Sequence, residues 1–132
     1  EDSGYNNIRD LYEDVVSDLT HKATIDQLRE LYPSTEIFTL PTGWATFDLV
    51  DQHENNLLLD DVSLFGSYDD SIFTDAKGHQ GEIVVNTGAL IWLNGLYGVN
   101  LRTDNSDTGF NTDLHSIAEN IMDLHDTNYK QQ

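Results

Sequence analysis

His115 and Glu119 stand four residues apart, a spacing that puts two side chains on one helix face and could give a metal two ligands. A His–Glu pair on a solvated helix face is the commoner meaning of that spacing and is the reading adopted. The adjacent acids Asp60-Asp61 and Asp69-Asp70 could divide acid and base roles, because two carboxyls sharing a cleft split their pKa values. With 17 Asp in the chain, neighbouring pairs also arise by chance. The run Asp104-Asn105-Ser106-Asp107-Thr108-Gly109 has the texture of a calcium loop. Its oxygen ligands are out of order, however, and no Glu stands at the twelfth position. His21, His53, His79 and His125 are scattered, and no GxSxG, HExxH, phosphate-loop or dinucleotide fingerprint occurs. No catalytic residue, metal or cofactor is therefore expected, and the chain is read as a non-enzyme.

The charge is more informative than any motif. The 132 residues hold 24 Asp and Glu against 6 Lys and Arg, a formal net charge of −18. Phosphate backbones are bound through Lys and Arg, so direct nucleic-acid binding is excluded, and the same sign argument excludes anionic membrane surfaces. A GC-rich halophile would favour Ala, Val and Arg, whereas this chain has 5 Ala, 3 Arg and 11 Asn. Cys is absent, so disulfides and thiolate metal sites are excluded. The longest apolar run, Ala89 to Leu93, is far too short to span a bilayer, and a soluble, cytoplasmic protein is expected. The chain begins with Glu rather than Met, which leaves a removed leader open.

Hydrophobic periodicity supplies the elements that would carry these acids. Ile8, Leu11, Tyr12, Val15, Val16 and Leu19 follow the helical i, i+3, i+4, i+7 pattern. The opposite side bears Asp10, Glu13, Asp14 and Asp18. At about 1.5 Å rise per residue, Asp10, Asp14 and Asp18 would recur about every 6 Å, close to the spacing of backbone phosphates. Thr24 with Gln27 predicts a capping box opening a second helix that Pro33 ends. The runs 37–40, 44–50, 57–61 and 82–85 predict strands, the second and third joined as an antiparallel hairpin through 51–56. Residues 66–81 read as a long loop or irregular strand. Thr87 should cap a central helix through Tyr97, with Trp92 buried, and Thr112 a last helix carrying Leu114, Ile117, Ala118, Ile121 and Leu124. Asp113, Glu119, Asp123 and Asp126 would face outward, and the tail from Thr127 would fray. The expected fold is a single acidic α+β domain over 1–132, with a small antiparallel sheet of three to five strands packed with about four helices.

Almost none of these acids has a basic neighbour in sequence. Uncompensated charge of one sign destabilises a fold by self-repulsion, so its retention points to attraction toward a positive surface. The expected partner is a basic nucleic-acid-binding protein or enzyme. The candidate contact residues are Asp10, Glu13, Asp14, Asp18, Asp60, Asp61, Asp69, Asp70, Asp104, Asp107, Glu119, Asp123 and Asp126. The oligomeric state stays open between monomer and homodimer.

Leu31-Tyr32-Pro33 ending a helix, Gly43-Trp44-Ala45-Thr46-Phe47-Asp48-Leu49, and Gly81-Glu82 before the small-residue-rich stretch Gly88 to Tyr97 resemble the antirestriction proteins of the ArdB/KlcA family. The likeness covers about residues 24–128. It departs from the family pattern at Thr42-Gly43 and Asn55-Asn56, where Gly-Gly and a different hairpin turn are expected. The resemblance implies a strand over Gly43–Leu49 and a phage or plasmid protein that counters restriction, in a family whose inhibition is not simply charge mimicry. From the charge, the expected function is an acidic inhibitor that blocks a host defence enzyme by presenting DNA-like negative charge. The alternative is an immunity protein neutralising a cognate nuclease toxin.

Overall fold

The computed structural model describes Gly4 and residues 7–131, which fall into two compact units: 1–39 with 126–132, and Leu40–His125. The first is built on a continuous helical stretch: α1 (Ile8–Leu11), a π-helical segment (Tyr12–Lys22) and α2 (Ala23–Leu31). Asn7 caps α1 by accepting from the Asp10 N–H. Thr24 therefore lies inside a helix instead of capping one, while the stop before Pro33 falls where expected, with Tyr32 as C-cap. Leu11, Tyr12, Val15 and Val16 are half-buried, but Ile8 and Leu19 are exposed.

The C-terminal tail is not frayed. Tyr129 donates its hydroxyl to Asp26 (2.9 Å), and its carbonyl accepts from the Thr39 N–H (2.9 Å). The Arg29 guanidinium lies 5.4 Å from the Tyr129 ring centre and donates to the carbonyls of Ile37 and Asn128, both at 2.8 Å.

The second unit contains α3 (Gly43–Glu54), β1 (Ser63–Phe65), β2 (Ser71–Phe73), α4 (Glu82–Tyr97) and α5 (Leu114–Leu124). The expected antiparallel sheet of three to five strands is not found. Among the described residues the only sheet is the parallel pair β1–β2, with Ser63 opposite Ser71 and Phe65 opposite Phe73. The 44–50 run, read as a strand, is α3. Its apolar residues satisfy both periods, since Ala45 and Leu49 are four apart and fully buried, and Trp44 and Phe47 are three apart with rings 5.6 Å apart. Burial of the Ala45–Leu49 face decides for the helix, so the expected hairpin turn at 51–56 is the end of α3. Residues 57–61 form no strand, and the β-branched run 82–85 is the first turn of α4.

α4 thus begins five residues before Thr87, whose buried hydroxyl donates to the Ile83 carbonyl at 2.8 Å. It ends at Gly98, whose φ of 65° closes the helix in a conformation that glycine adopts without strain. Asp113, one residue beyond the expected Thr112, caps α5 by accepting from the Ser116 N–H (3.0 Å) and hydroxyl (2.6 Å). The core joins Ile83, Val84, Leu90 and Ile91 of α4 to Leu114, Ile117, Ala118 and Ile121 of α5, with Ala45, Leu49 and Ile72 closing it. Trp92 is outside this core, 51 % exposed. No helix of the described residues is long and apolar enough to cross a membrane.

Candidate partner-binding surface

The acids expected to form one contact surface divide by what holds them. On the first unit Asp10 is half-buried, whereas Glu13 and Asp14 are exposed. Asp18 is bound to Lys22 at 2.7 Å, and Lys22 lies 3.8 Å from Asp126. The hydrogen bond from Asp18 raises the Lys22 pKa, against a smaller opposing effect of burial. Asp14 and Asp18 lie in the π segment, whose turn is wider than the α-helical one that gives the spacing of about 6 Å.

On the second unit several acids hold loops in place. Asp60 accepts four hydrogen bonds: from the Asn111 N–H (2.9 Å) and side-chain amide (3.0 Å), and from the Thr112 N–H (2.8 Å) and hydroxyl (2.7 Å). Burial pushes its pKa up, but these four donors outweigh it and hold the carboxyl below its ordinary value. Asp69 and Asp70 shape the short return between the parallel strands. Asp70 accepts from the Ser67 N–H (2.7 Å), and Asp69 from the Ser67 hydroxyl (2.6 Å). Asp107 accepts from the Gly109 N–H (2.8 Å). Asp61 is exposed, and no role in the fold is visible for it.

The residues weighed for chemistry do not converge as their spacing allowed. His115 turns from Glu119 to Asp104, with Nε2 at 3.1 Å, while Glu119 pairs with Arg102, whose Nη2 is also 3.5 Å from Asp123. Ser106 donates to Asp104 (2.6 Å) and lies 3.3 Å from the same His115 Nε2. A nucleophile relay needs serine and carboxylate on opposite ring nitrogens, so this cluster does not activate Ser106. The hydroxyl of Ser106, ahead of His115, instead holds the Asp104 carboxyl below its usual range, against the upward effect of burial. Among the described residues no group of three His, Asp or Glu is arranged to hold a metal.

Sequence reasoning missed the counter-charge. Arg102 sits 17 residues before Glu119, beyond any local spacing rule, whereas Asp18–Lys22 is an i, i+4 pair readable in advance. It also missed the exposed side of α4, where Val85, Gly88, Ala89, Trp92 and Leu93, with Thr42, border an open groove of about 530 Å³. The buried side offered no warning, because α4 is apolar all round. Comparison with protein-family models, curated proteins and solved structures gives no match to this chain.

Proposed function

We propose that this chain is an acidic inhibitor that binds a basic, nucleic-acid-handling enzyme of host defence in the cytoplasm, and that it occupies the surface the enzyme uses for phosphates. The observation that carries this reading is the charge of the second unit. Residues 40–125 hold fourteen of the 24 Asp and Glu but only two Lys or Arg, Lys77 and Arg102. Arg102 is already engaged by Glu119 and Asp123. Glu54, Asp61, Asp70, Asp107 and Asp113 are all exposed, so the field they make reaches solvent in several directions. Such a field accelerates encounter with a positive surface and repels free nucleic acid. The first helix adds the exposed carboxylates of Glu13 and Asp14 to the charge of the chain.

A purified type I restriction enzyme cutting unmodified plasmid tests this directly. Inhibition should weaken steeply as salt rises from about 0.05 to 0.5 M, where screening shortens from roughly 14 to 4 Å. The triple variant Glu54→Gln, Asp61→Asn, Asp107→Asn should fold normally and associate several-fold more slowly. The chain alone should leave random duplex DNA unshifted in a gel. Micromolar binding to duplex, or inhibition indifferent to both salt and the triple variant, defeats the reading. Inhibition of a basic nuclease toxin instead of the restriction enzyme selects the immunity alternative.

A further inference from the structure

We infer that the outer face of α4, centred on Trp92, is the docking surface for an apolar side chain carried on the basic partner; this rests on the acidic-inhibitor reading above and deepens it. α4 has two apolar faces. Ile83, Val84, Leu90 and Ile91 are at most 3 % exposed, while Val85, Trp92 and Leu93 are 40 %, 51 % and 36 % exposed on the other side. A helix buried on one face normally carries polar residues on the other. Here a tryptophan, the side chain most enriched at the energetic centres of interfaces, borders an open groove instead. Gly88 borders the same groove, and a Cβ built on it would stand in open space, with no atom within 4 Å.

Charge decides the occupant. Residues 40–125 carry fourteen Asp and Glu against Lys77 and Arg102, so this unit as a whole attracts a basic partner and repels an acidic one. Glu82 stands at the N-terminal end of the same face, in the 82, 85, 89, 92 series. A second copy of the chain would bring two such surpluses together, and an anionic lipid surface is repelled in the same way. A basic protein presenting an apolar side chain among Lys and Arg satisfies both the groove and the field.

The probes are two synthetic amphipathic peptides of equal Lys content, one with Leu at i, i+3, i+4 and i+7 and the other with Ser at those positions. The wild-type chain should bind the Leu peptide about tenfold more tightly, with a blue shift of tryptophan emission. Trp92→Ala removes an aromatic ring that lies outside the core, and Gly88→Gln places a polar side chain at the groove where there is open space, so both should stay folded. Each should reduce the preference to below about twofold and leave affinity for the Ser peptide unchanged. Equal binding of both peptides to wild type overturns the docking surface alone. A preference that survives both variants does the same, as does a wild-type dimer that Trp92→Ala dissolves. If neither peptide binds at low salt, the acidic-inhibitor reading falls and takes this inference with it.

Discussion

The Asp60 carboxylate binds Thr112 twice, through its backbone N–H at 2.8 Å and its hydroxyl at 2.7 Å, and Thr112 in turn accepts from the Leu59 N–H at 3.0 Å. Thr112 is buried and immediately precedes the Asp113 cap of α5. One acid thereby fixes the start of the helix that forms half of the core. This is the reverse of the part its sequence suggested, since Asp60 looks like one of a pair of surface carboxylates.

Asp60→Asn should consequently destabilise the protein by about 1.5–3 kcal/mol at neutral pH, the range for hydrogen bonds to a charged group. Asn offers one acceptor oxygen and turns an amide toward donors. The direction with pH follows from the lowered pKa of Asp60 in the folded state. Its contribution is present in full above the unfolded value of about 3.9 and is lost as pH falls through the lower folded value. Urea midpoints of wild type and variant should differ most at neutral pH and converge under more acid conditions. A gap that stays constant from neutral to strongly acid pH would show that the ionised form of Asp60 is not what holds the loop.

Two glycines of the same region should respond to alanine in opposite directions. A Cβ on Gly81 would fall 1.8 Å from the Ser71 carbonyl oxygen, while the Gly81 N–H donates to Ile72 at 2.7 Å. The added methyl therefore forces α4 away from β2, and Gly81→Ala should destabilise by at least about 2 kcal/mol. Gly88, inside α4 with open space around it, should gain about 0.5–1 kcal/mol on becoming alanine, because alanine loses less backbone freedom in a helix. Thermal melts of the two variants should move apart, Gly81→Ala downward and Gly88→Ala upward. Equal shifts would mean that the contact between α4 and β2 is not as close as described.

Helix positions were legible in this chain where one face alone is apolar, and misread where two patterns coincide. The α5 series Leu114, Ile117, Ala118, Ile121 is periodic only as a helix, and it is one. In α3, by contrast, Ala45, Phe47 and Leu49 alternate like a strand while Ala45 and Leu49 repeat like a helix, and only packing against the rest of the core separates the two. Ile83, Val84 and Val85 favour a strand locally, yet the burial of Ile83 and Val84 in α4 overrides that preference. The acids were legible as a surplus but not as individuals. Whether a carboxylate binds a loop, as Asp60 and Asp70 do, or stays at the surface, as Asp61 does, depends on donors such as Asn111, 51 residues away in sequence.

The C-terminal tail gives the last prediction, because Tyr129 joins it to α2 and to Thr39 by separate interactions. The phenol donates to Asp26, whose hydrogen bond, ahead of burial, raises the Tyr129 pKa. The ring lies under Lys22 at 5.7 Å and Arg29 at 5.4 Å, and the backbone carbonyl takes the Thr39 N–H. Tyr129→Phe keeps the ring and removes one hydrogen bond of about 1 kcal/mol, so the Thr39 amide should exchange with solvent deuterium about fivefold faster. Tyr129→Ala also removes two cation–π contacts of about 0.5–1 kcal/mol each, and should accelerate that amide by a further tenfold or so. Arg29→Ala should act in the same direction, since it frees the carbonyls of Ile37 and Asn128 together. Hydrogen exchange followed at single-residue resolution separates these steps. A Thr39 amide that exchanges at the unprotected rate in wild type, or that ignores all three substitutions, would show that the tail does not close on α2 in solution.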